Sequence, residues 1–160
     1  MSPSAKIIAD LMLEEVGVHA TPGPAATARI IEYGQHTTLK PTSDEVAWCS
    51  DCLNFIVDEA RQTHPEIDPP TRSAAAISWA GWGEEVPDGE QDRGDVVVFD
   101  WGGGHNHVAV YLTEDEDHPG LIQVVGGNQS GPKGGPHAVN EKWDPLNCVI
   151  HFRRPKNYQE

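Results

Sequence analysis

Hydrophobic positions recur with a helical period through the first half of the chain. Apolar residues three and four positions apart predict helices over residues 4–16 and near 25–34, and a third helix that starts near Asp44. The segment 73–83 predicts a short fourth helix after a turn-rich stretch. The first half of the chain is therefore predicted to be helical.

The second half changes to a period of two. Alternating apolar residues, bounded by Gly, Pro, Asn and Asp clusters, predict four short strands over residues 95–99, 107–112, 121–126 and 147–152. The Gly- and Pro-rich stretch 126–142 is interpreted as a loop. Helices followed by strands predict an α+β fold in which the helices pack on an antiparallel sheet.

The third predicted helix carries the most informative pair of residues, Trp48-Cys49. Thr42 and Glu45 have the spacing of a capping box at its start. Its apolar face is predicted to consist of Val46, Cys49, Leu53, Ile56, Val57 and Ala60. Cys49 is thus expected near a helix start and turned towards the core, where first-turn N–H groups would stabilise a thiolate.

Composition and charge narrow the classes of partner. With 160 residues, 38% of them hydrophobic, the chain is expected to form one domain over residues 1–160. The net charge of −14 repels phosphate backbones and anionic lipid, which argues against a nucleic-acid partner. No apolar run approaches the ~18 residues that span a bilayer, so membrane insertion is not expected. Asp10 interrupts the N-terminal apolar stretch too early for a signal-peptide core, so we expect the protein to be made in the cytoplasm. We also expect a monomer.

Two residues of the second half complete a candidate hydrolytic site with Cys49. His107 starts a predicted strand on which Ala109 and Tyr111 share its face, and the small Ala109 would leave room for a helix start. Asn128 ends the next strand, where its amide is expected to hold the second ring nitrogen of His107. A thiol, an imidazole and an amide in this order are typical of a cysteine hydrolase.

These residues lie within motifs that resemble a known superfamily. The segments DEVAWCS, TRSAAAISWAGWG, GDVVVF, GHNHVAVYL, VVGGNQS and FRRP occur in the order found in CHAP and NlpC-type peptidoglycan hydrolases, and most closely in a phage-associated branch. The resemblance covers roughly residues 30–155 and implies a papain-like fold that cleaves amide bonds in cell-wall peptides without a cofactor or metal.

The resemblance also assigns residues. It implies that Cys49 is the nucleophile, His107 the base and Asn128 the third residue, and we expect Trp48, Asn106 and Gln129 to bind substrate. Many resembling CHAP sequences have a glutamate where this chain has Gly126, which leaves Gln129 as an alternative third residue. Asp51, in the first turn after the nucleophile, would oppose thiolate formation unless it faces solvent.

The expected setting is a phage endolysin or a tail-associated lysin that acts on the bacterial cell wall. An interbacterial amidase effector is an alternative within the same chemistry.

The sequence is also compatible with other classes of protein and with metal sites. Trp48-Cys49-x-x-Cys52 also matches a thiol-disulfide oxidoreductase, although no convincing strand precedes it. His105 and His107, with His118 or His137, are a candidate zinc site. The acidic stretch 113–118 is interpreted as a solvated loop, with calcium binding as the alternative. The five tryptophans would suit a non-catalytic wall-binding module; they are Trp48, Trp79, Trp82, Trp101 and Trp143.

Overall fold

The helices precede the sheet, as the hydrophobic pattern predicts. A computed structural model describes residues 3–21, 27–41, 43, 46–131 and 134–156. The three α-helices are α1, Pro3–Glu14; α2, Ala28–Gly34; and α3, Cys49–Thr63. The capping box predicted at Thr42 and Glu45 lies outside the described residues.

Six strands form one antiparallel sheet. They are β1, Glu84–Glu85; β2, Val96–Asp100; β3, Asn106–Thr113; β4, Leu121–Gln129; β5, Ala138–Pro145; and β6, Val149–Arg154. Their order across the sheet is β1-β6-β2-β3-β4-β5, so consecutive strands from β2 to β5 are neighbours. The sheet therefore grows mainly by short local connections, which is typical of an antiparallel meander.

The two faces of the sheet have separate apolar cores. One face packs on the helices through residues such as Val98, Val108 and Val125, together with Leu53 of α3. The other face buries Phe99, Ala109, Tyr111, Ile122 and Val124. This arrangement confirms the predicted α+β fold, and it follows from strands whose alternate residues are apolar on both sides.

Several elements differ from the predicted ones. The segment interpreted as a loop contains β5, an edge strand whose partly exposed polar residues weaken the period-two signal. The predicted fourth helix is a 3-10 helix, Ala76–Gly81, and a second 3-10 turn, Leu146–Cys148, precedes β6. Val46 is exposed rather than part of the apolar face of α3, because the helix begins only at Cys49.

No helix in the described part of the chain has both the length and the apolar character needed to cross a membrane.

Candidate active site

Cys49 is the first residue of α3 and is 5% exposed. Burial raises the pKa of its thiol, and hydrogen bonds from the backbone N–H groups of Val108 and Ser50 oppose that rise. The helix start therefore does contribute N–H groups, but desolvation outweighs them and the resting thiol is protonated near neutral pH. Val108 directly follows His107, so this contact places the nucleophile at the start of β3.

The start of α3 is held in place by hydrogen bonds to the chain after the helix. Ser50 Oγ donates to the Ser73 carbonyl at 2.6 Å and accepts from Trp79 Nε1 at 2.9 Å. Asn54 accepts from the Arg72 backbone N–H at 2.7 Å and donates to the Ser73 carbonyl. These buried bonds fix the axial position of α3, and with it the position of Cys49.

His107 is almost buried, at 8% exposure, and its ring lies beside the rings of Phe99 and Trp101. Its ring centroid lies 5.9 Å from Phe99 and 6.2 Å from Trp101, both at shallow interplanar angles. His107 Nε2 bonds the Gln129 side-chain oxygen at 2.9 Å. Burial lowers the pKa of His107, and the bond to Gln129 partly restores it. A neutral imidazole is the resting form near pH 7.

Asn140 determines which ring nitrogen of His107 carries the proton. Gln129 Nε2 donates to the Asn140 backbone carbonyl at 2.8 Å and to Asn140 Oδ1 at 2.9 Å. A backbone carbonyl only accepts, so the Gln129 oxygen must be the atom that faces His107. His107 Nε2 therefore donates its proton to Gln129, and Nδ1 is left as the acceptor.

A β-bulge decides that Gln129, and not Asn128, reaches His107. Gly126 pairs with Asn140 and Gln129 pairs with Ala138, so β4 has one residue more than β5 between these pairs. Asn128 is the extra residue, with a left-handed φ of +57°. Its Oδ1 instead accepts from His137 Nδ1 at 3.1 Å. The structure thus does not bring Asn128 to His107, because the bulge shifts the strand's alternation by one.

The two glycines before the bulge explain why β4 lies so close to its neighbours. A Cβ at Gly127 would lie 2.8 Å from the Trp48 ring and 2.9 Å from Cys52 Cβ, so this position faces α3. A Cβ at Gly126 would lie 2.9 Å from Ala109 Cβ. Ala109 therefore makes room for β4 on the sheet face away from the helices, and not for a helix start as predicted. The same contact leaves no space for the glutamate found in many resembling sequences.

Two of the residues predicted to bind substrate make contacts within the protein. Trp48 is 1% exposed and packs against Tyr33 in the helical core, so its ring has no surface to offer a ligand. Asn106 Nδ2 donates to the Phe99 carbonyl at 3.2 Å and ties the β2–β3 hairpin. Gln129, the third residue predicted to bind substrate, lines the cavity beside His107, and its amide holds the His107 ring.

Asp51 is buried on the first turn of α3 at 1% exposure. Neither carboxylate oxygen has a hydrogen-bond partner among the described residues. Burial raises the pKa of Asp51 to about 6. Its negative charge raises the pKa of the Cys49 thiol, as expected for a carboxylate that does not face solvent.

A cavity of about 350 Å³ opens beside His107 on the side of Gln129. Its other lining residues are Trp101, Asn128, Ser130, His137, Lys142 and Asp144. Residues from β5 thus border the site, and sequence analysis missed them because this strand was interpreted as a loop. The available signal was the alternation of the polar residues Asn140, Lys142 and Asp144.

The alternative sites have little support in the described part of the chain. Cys49 and Cys52 are both free, and the sheet is antiparallel with no strand described directly before Trp48, unlike a βαβ redox fold. Within the described ranges, no group of three His, Cys, Asp or Glu side chains is placed to hold a metal. In the acidic loop, Asp115 bonds His118, whose ring stacks on Trp143 at 3.8 Å.

In the described part of the chain, three α-helices pack with an antiparallel sheet, and the thiol at the start of α3 contacts the backbone of Val108, the residue directly after His107; this is a papain-like α+β fold. The chain belongs to the NlpC/P60 family, whose sequence model matches residues 34–130.

One solved structure agrees on the fold. The chain is similar to Rv1477, a hypothetical invasion protein of Mycobacterium tuberculosis, with a TM-score of 0.52 and 14% identity over 95% of this chain. It spans 62% of that chain, so less than two thirds of its length. It is also similar to a mutant of RipA, the resuscitation promoting factor interacting protein, with a TM-score of 0.45, 13% identity and coverage of 95% and 83% of the two chains. None of the curated proteins matches.

Proposed function

We propose that this protein is a cysteine amidase or endopeptidase that cleaves an amide bond in peptidoglycan stem peptides. Residues 1–160 would form its catalytic domain. The observation that carries the proposal is the hydrogen-bonded chain from Asn140 through Gln129 to His107, together with the contact of Cys49 with the backbone of Val108, the residue that follows His107. A buried imidazole whose proton is directed to one nitrogen is the arrangement that a cysteine nucleophile needs.

In the proposed reaction, His107 Nδ1 takes the proton of the Cys49 thiol as the sulfur attacks the carbonyl carbon of the scissile amide. The C–N bond of the tetrahedral intermediate then breaks, and the proton on Nδ1 passes to the leaving amine. Water, activated by the same nitrogen, hydrolyses the thioester to a carboxylate and restores the thiol. Gln129 keeps the proton on Nε2 throughout and accepts a stronger hydrogen bond from the imidazolium.

The pKa shifts of Cys49 and His107 favour this order of steps over a preformed thiolate–imidazolium ion pair. Burial raises the pKa of Cys49 and lowers the pKa of His107, so both groups are neutral at rest. Proton transfer then accompanies attack and does not precede it. The backbone N–H of Cys49, at the helix start, is proposed to stabilise the oxyanion.

The decisive experiment compares purified Cys49→Ala with wild type on insoluble peptidoglycan and identifies the released fragments by mass spectrometry. We expect loss of all products in Cys49→Ala and retention in Cys148→Ala, a matched thiol control outside the site. New amine and carboxyl termini in the products identify the bond. Full release of fragments by Cys49→Ala would overturn the cysteine mechanism.

The biological setting we propose is a phage endolysin or tail-associated lysin, on the strength of the order of the sequence motifs. Expression in the cytoplasm of a susceptible host should leave cells intact, and co-expression with a membrane-permeabilising partner should lyse them. Lysis that is independent of such a partner would contradict an endolysin.

A further inference from the structure

Three buried side-chain atoms in the described part of the chain have no hydrogen-bond partner, and all three belong to the turn that carries Cys49. They are the indole nitrogen of Trp48 and both carboxylate oxygens of Asp51. A buried polar group without a partner lowers stability, and perturbed groups of this kind concentrate where a protein uses their chemistry. The start of α3 therefore carries an energetic cost right beside the nucleophile.

The carboxylate of Asp51 faces groups that have no proton to donate to it. A Cβ at Gly34 would lie 3.5 Å from Asp51 Oδ2 and 3.0 Å from the ring of Pro41, so the carboxylate lies against the end of α2 and the connection to α3. Glycine has no side chain, and proline has neither a side-chain donor nor a backbone N–H. These surroundings favour the neutral acid over the ionised carboxylate.

Asp51 acts on the thiol but not on the imidazole. Burial is the main reason why the pKa of the Cys49 thiol is raised, and the negative charge of Asp51 adds to that rise. Burial lowers the pKa of His107, and the charged groups that act on it lie on β5. Ionised Asp51 thus opposes negative charge on the sulfur without a matching stabilisation of the imidazolium.

We propose that Asp51 acts through Cys49 as a protonation switch on the nucleophile. When Asp51 is protonated, the sulfur and the oxyanion can take up negative charge during attack. When Asp51 is ionised, it repels both charges and slows the attack. The switch moves one proton between Asp51 and solvent and changes no covalent bond. Its effect on turnover rests on the proposed function, whereas its effect on the thiol needs no substrate.

The switch gives the protein an acidic working range. Burial raises the pKa of Asp51 from 3.8 to about 6, so the side chain is neutral below that pH and ionised above it. His107 accepts the thiol proton only while it is neutral, and burial keeps its pKa below the usual 6.5. Turnover should therefore rise as His107 loses its proton and fall as the pH passes about 6.

Other titratable groups around this turn keep their charge while the switch operates. On α3, burial raises the pKa of Cys49 and of Cys52, so both thiols stay protonated. Glu15 of α1 acts on Cys52 through its charge. Burial raises the pKa of Glu15, but hydrogen bonds from Arg29 and Tyr33 bring it below its usual value, so Glu15 stays ionised. Burial raises the pKa of Tyr33 on α2, which stays neutral.

The described ionisable side chains of the connection between α2 and α3 do not neutralise Asp51 either. His36 Nδ1 contacts Asp58 Oδ2 at 2.5 Å, and Lys40 is exposed. Among the described residues, no cation offsets the burial of Asp51. The charge on Asp51 is therefore set by the proton concentration of the solvent.

The test measures two rates from pH 5 to pH 8 in a Cys148→Ala background. One is the alkylation of Cys49 by iodoacetamide, located by peptide mass spectrometry, and the other is the hydrolysis of soluble peptidoglycan fragments. Asp51→Asn and Asp51→Ala both remove the charge, so the test survives if one of them fails to fold. Glu59→Gln, two turns further along α3, is the matched charge control. Thermal midpoints at each pH establish that every variant is folded.

At pH 5 we expect both Asp51 variants to match the parent in both rates. At pH 8 they should exceed it by about three- to tenfold, as a fall of about one unit in the pKa of the thiol would give. The effect on hydrolysis should fall on kcat with KM unchanged, because Asp51 is 1% exposed and does not reach a substrate. The Glu59→Gln variant should follow the parent at every pH.

A ratio of variant to parent rates that stays constant from pH 5 to pH 8 would overturn the switch, as would an equal effect of Glu59→Gln. Slower alkylation in the Asp51 variants at pH 8 would also overturn it, because ionised Asp51 would then open the turn. A pH-dependent alkylation ratio without hydrolysis by the parent would support the switch and overturn the proposed hydrolase. Hydrolysis by the parent with a constant alkylation ratio would do the reverse.

Discussion

Replacing the adjacent amides Asn128 and Gln129 one at a time tests whether the β-bulge selects the residue that orients His107. Gln129→Ala removes the acceptor of the His107 Nε2 proton in a site where the ring is 8% exposed. Leaving a buried donor unsatisfied costs about 1–3 kcal/mol. If that cost falls on the transition state, turnover should drop roughly 5- to 150-fold, at about 1.4 kcal/mol for each factor of ten.

Asn128 should behave differently because its role is conformational. Asn128→Gly keeps the left-handed backbone at φ +57° and loses only an exposed bond to His137, so turnover should stay within about twofold. Asn128→Ala should lower the free energy of unfolding by about 1–2 kcal/mol, the cost of a left-handed alanine, with turnover largely retained. If Asn128 held His107, as the sequence analysis expected, both variants would instead lose turnover.

The assay is steady-state release of new amine termini from purified peptidoglycan, with chemical denaturation of each variant in parallel. Turnover separates the two residues from each other, since Asn128→Ala should lose stability with turnover largely retained, whereas Gln129→Ala should lose turnover. A tenfold or greater loss in Asn128→Gly, together with unchanged turnover in Gln129→Ala, would refute the assignment of Gln129 and restore Asn128 as the third residue.

Three further predictions concern Asp51, Gly126 and the thiol. Asp51→Asn should raise the free energy of unfolding by up to about 3 kcal/mol above pH 6, because burial raises the pKa of Asp51 from 3.8 to about 6 and the folded state must carry an unpaired charge. This gain in stability over wild type should vanish as the pH falls to 3.8, and above pH 6 iodoacetamide should modify Cys49 faster in the variant than in wild type. Denaturation and alkylation of both proteins at pH 4 and pH 8 check the two outcomes. A difference that does not depend on pH would contradict them. Gly126→Glu should lower the thermal midpoint, since its Cβ would lie 2.9 Å from Ala109 Cβ, and it should not restore the turnover of Gln129→Ala. An unchanged midpoint would show that β4 can shift. In a Cys148→Ala background iodoacetamide should abolish hydrolysis and a chelator should not, and loss in chelator with recovery in zinc or calcium would point to a metal-dependent site.

The parts of the site that lie on one helix or one strand could be predicted from local sequence patterns. An amphipathic period around Cys49 and an alternating strand from His107 are properties of a few neighbouring residues, so the sequence predicted both elements and the α+β class. The predicted strand ends were correct to within three residues where the apolar alternation was strong, as in β2 and β3.

The identity of the residue that orients His107 depended on the β-bulge in β4, which leaves no periodic pattern in the sequence. Regular alternation from Val124 and Gly126 puts Asn128 on the face of His107, and the sequence-based prediction followed that rule. One extra residue in β4 reverses the alternation and brings Gln129 there instead. The signal was present as two glycines before an asparagine, a residue that tolerates a left-handed backbone, but only the pairing with β5 shows that the turn lies within a strand.

What the sequence alone determined is therefore the pair of elements that carry Cys49 and His107, because amphipathic periodicity is written in adjacent residues. Tertiary structure decided what surrounds them. Trp48 and Asp51 are buried by contacts with residues distant in the chain, and Asn140 and Asp144 reach the site only because a polar edge strand pairs with β4. Strand pairing and burial join positions far apart in sequence, and no local pattern records which residues they bring together.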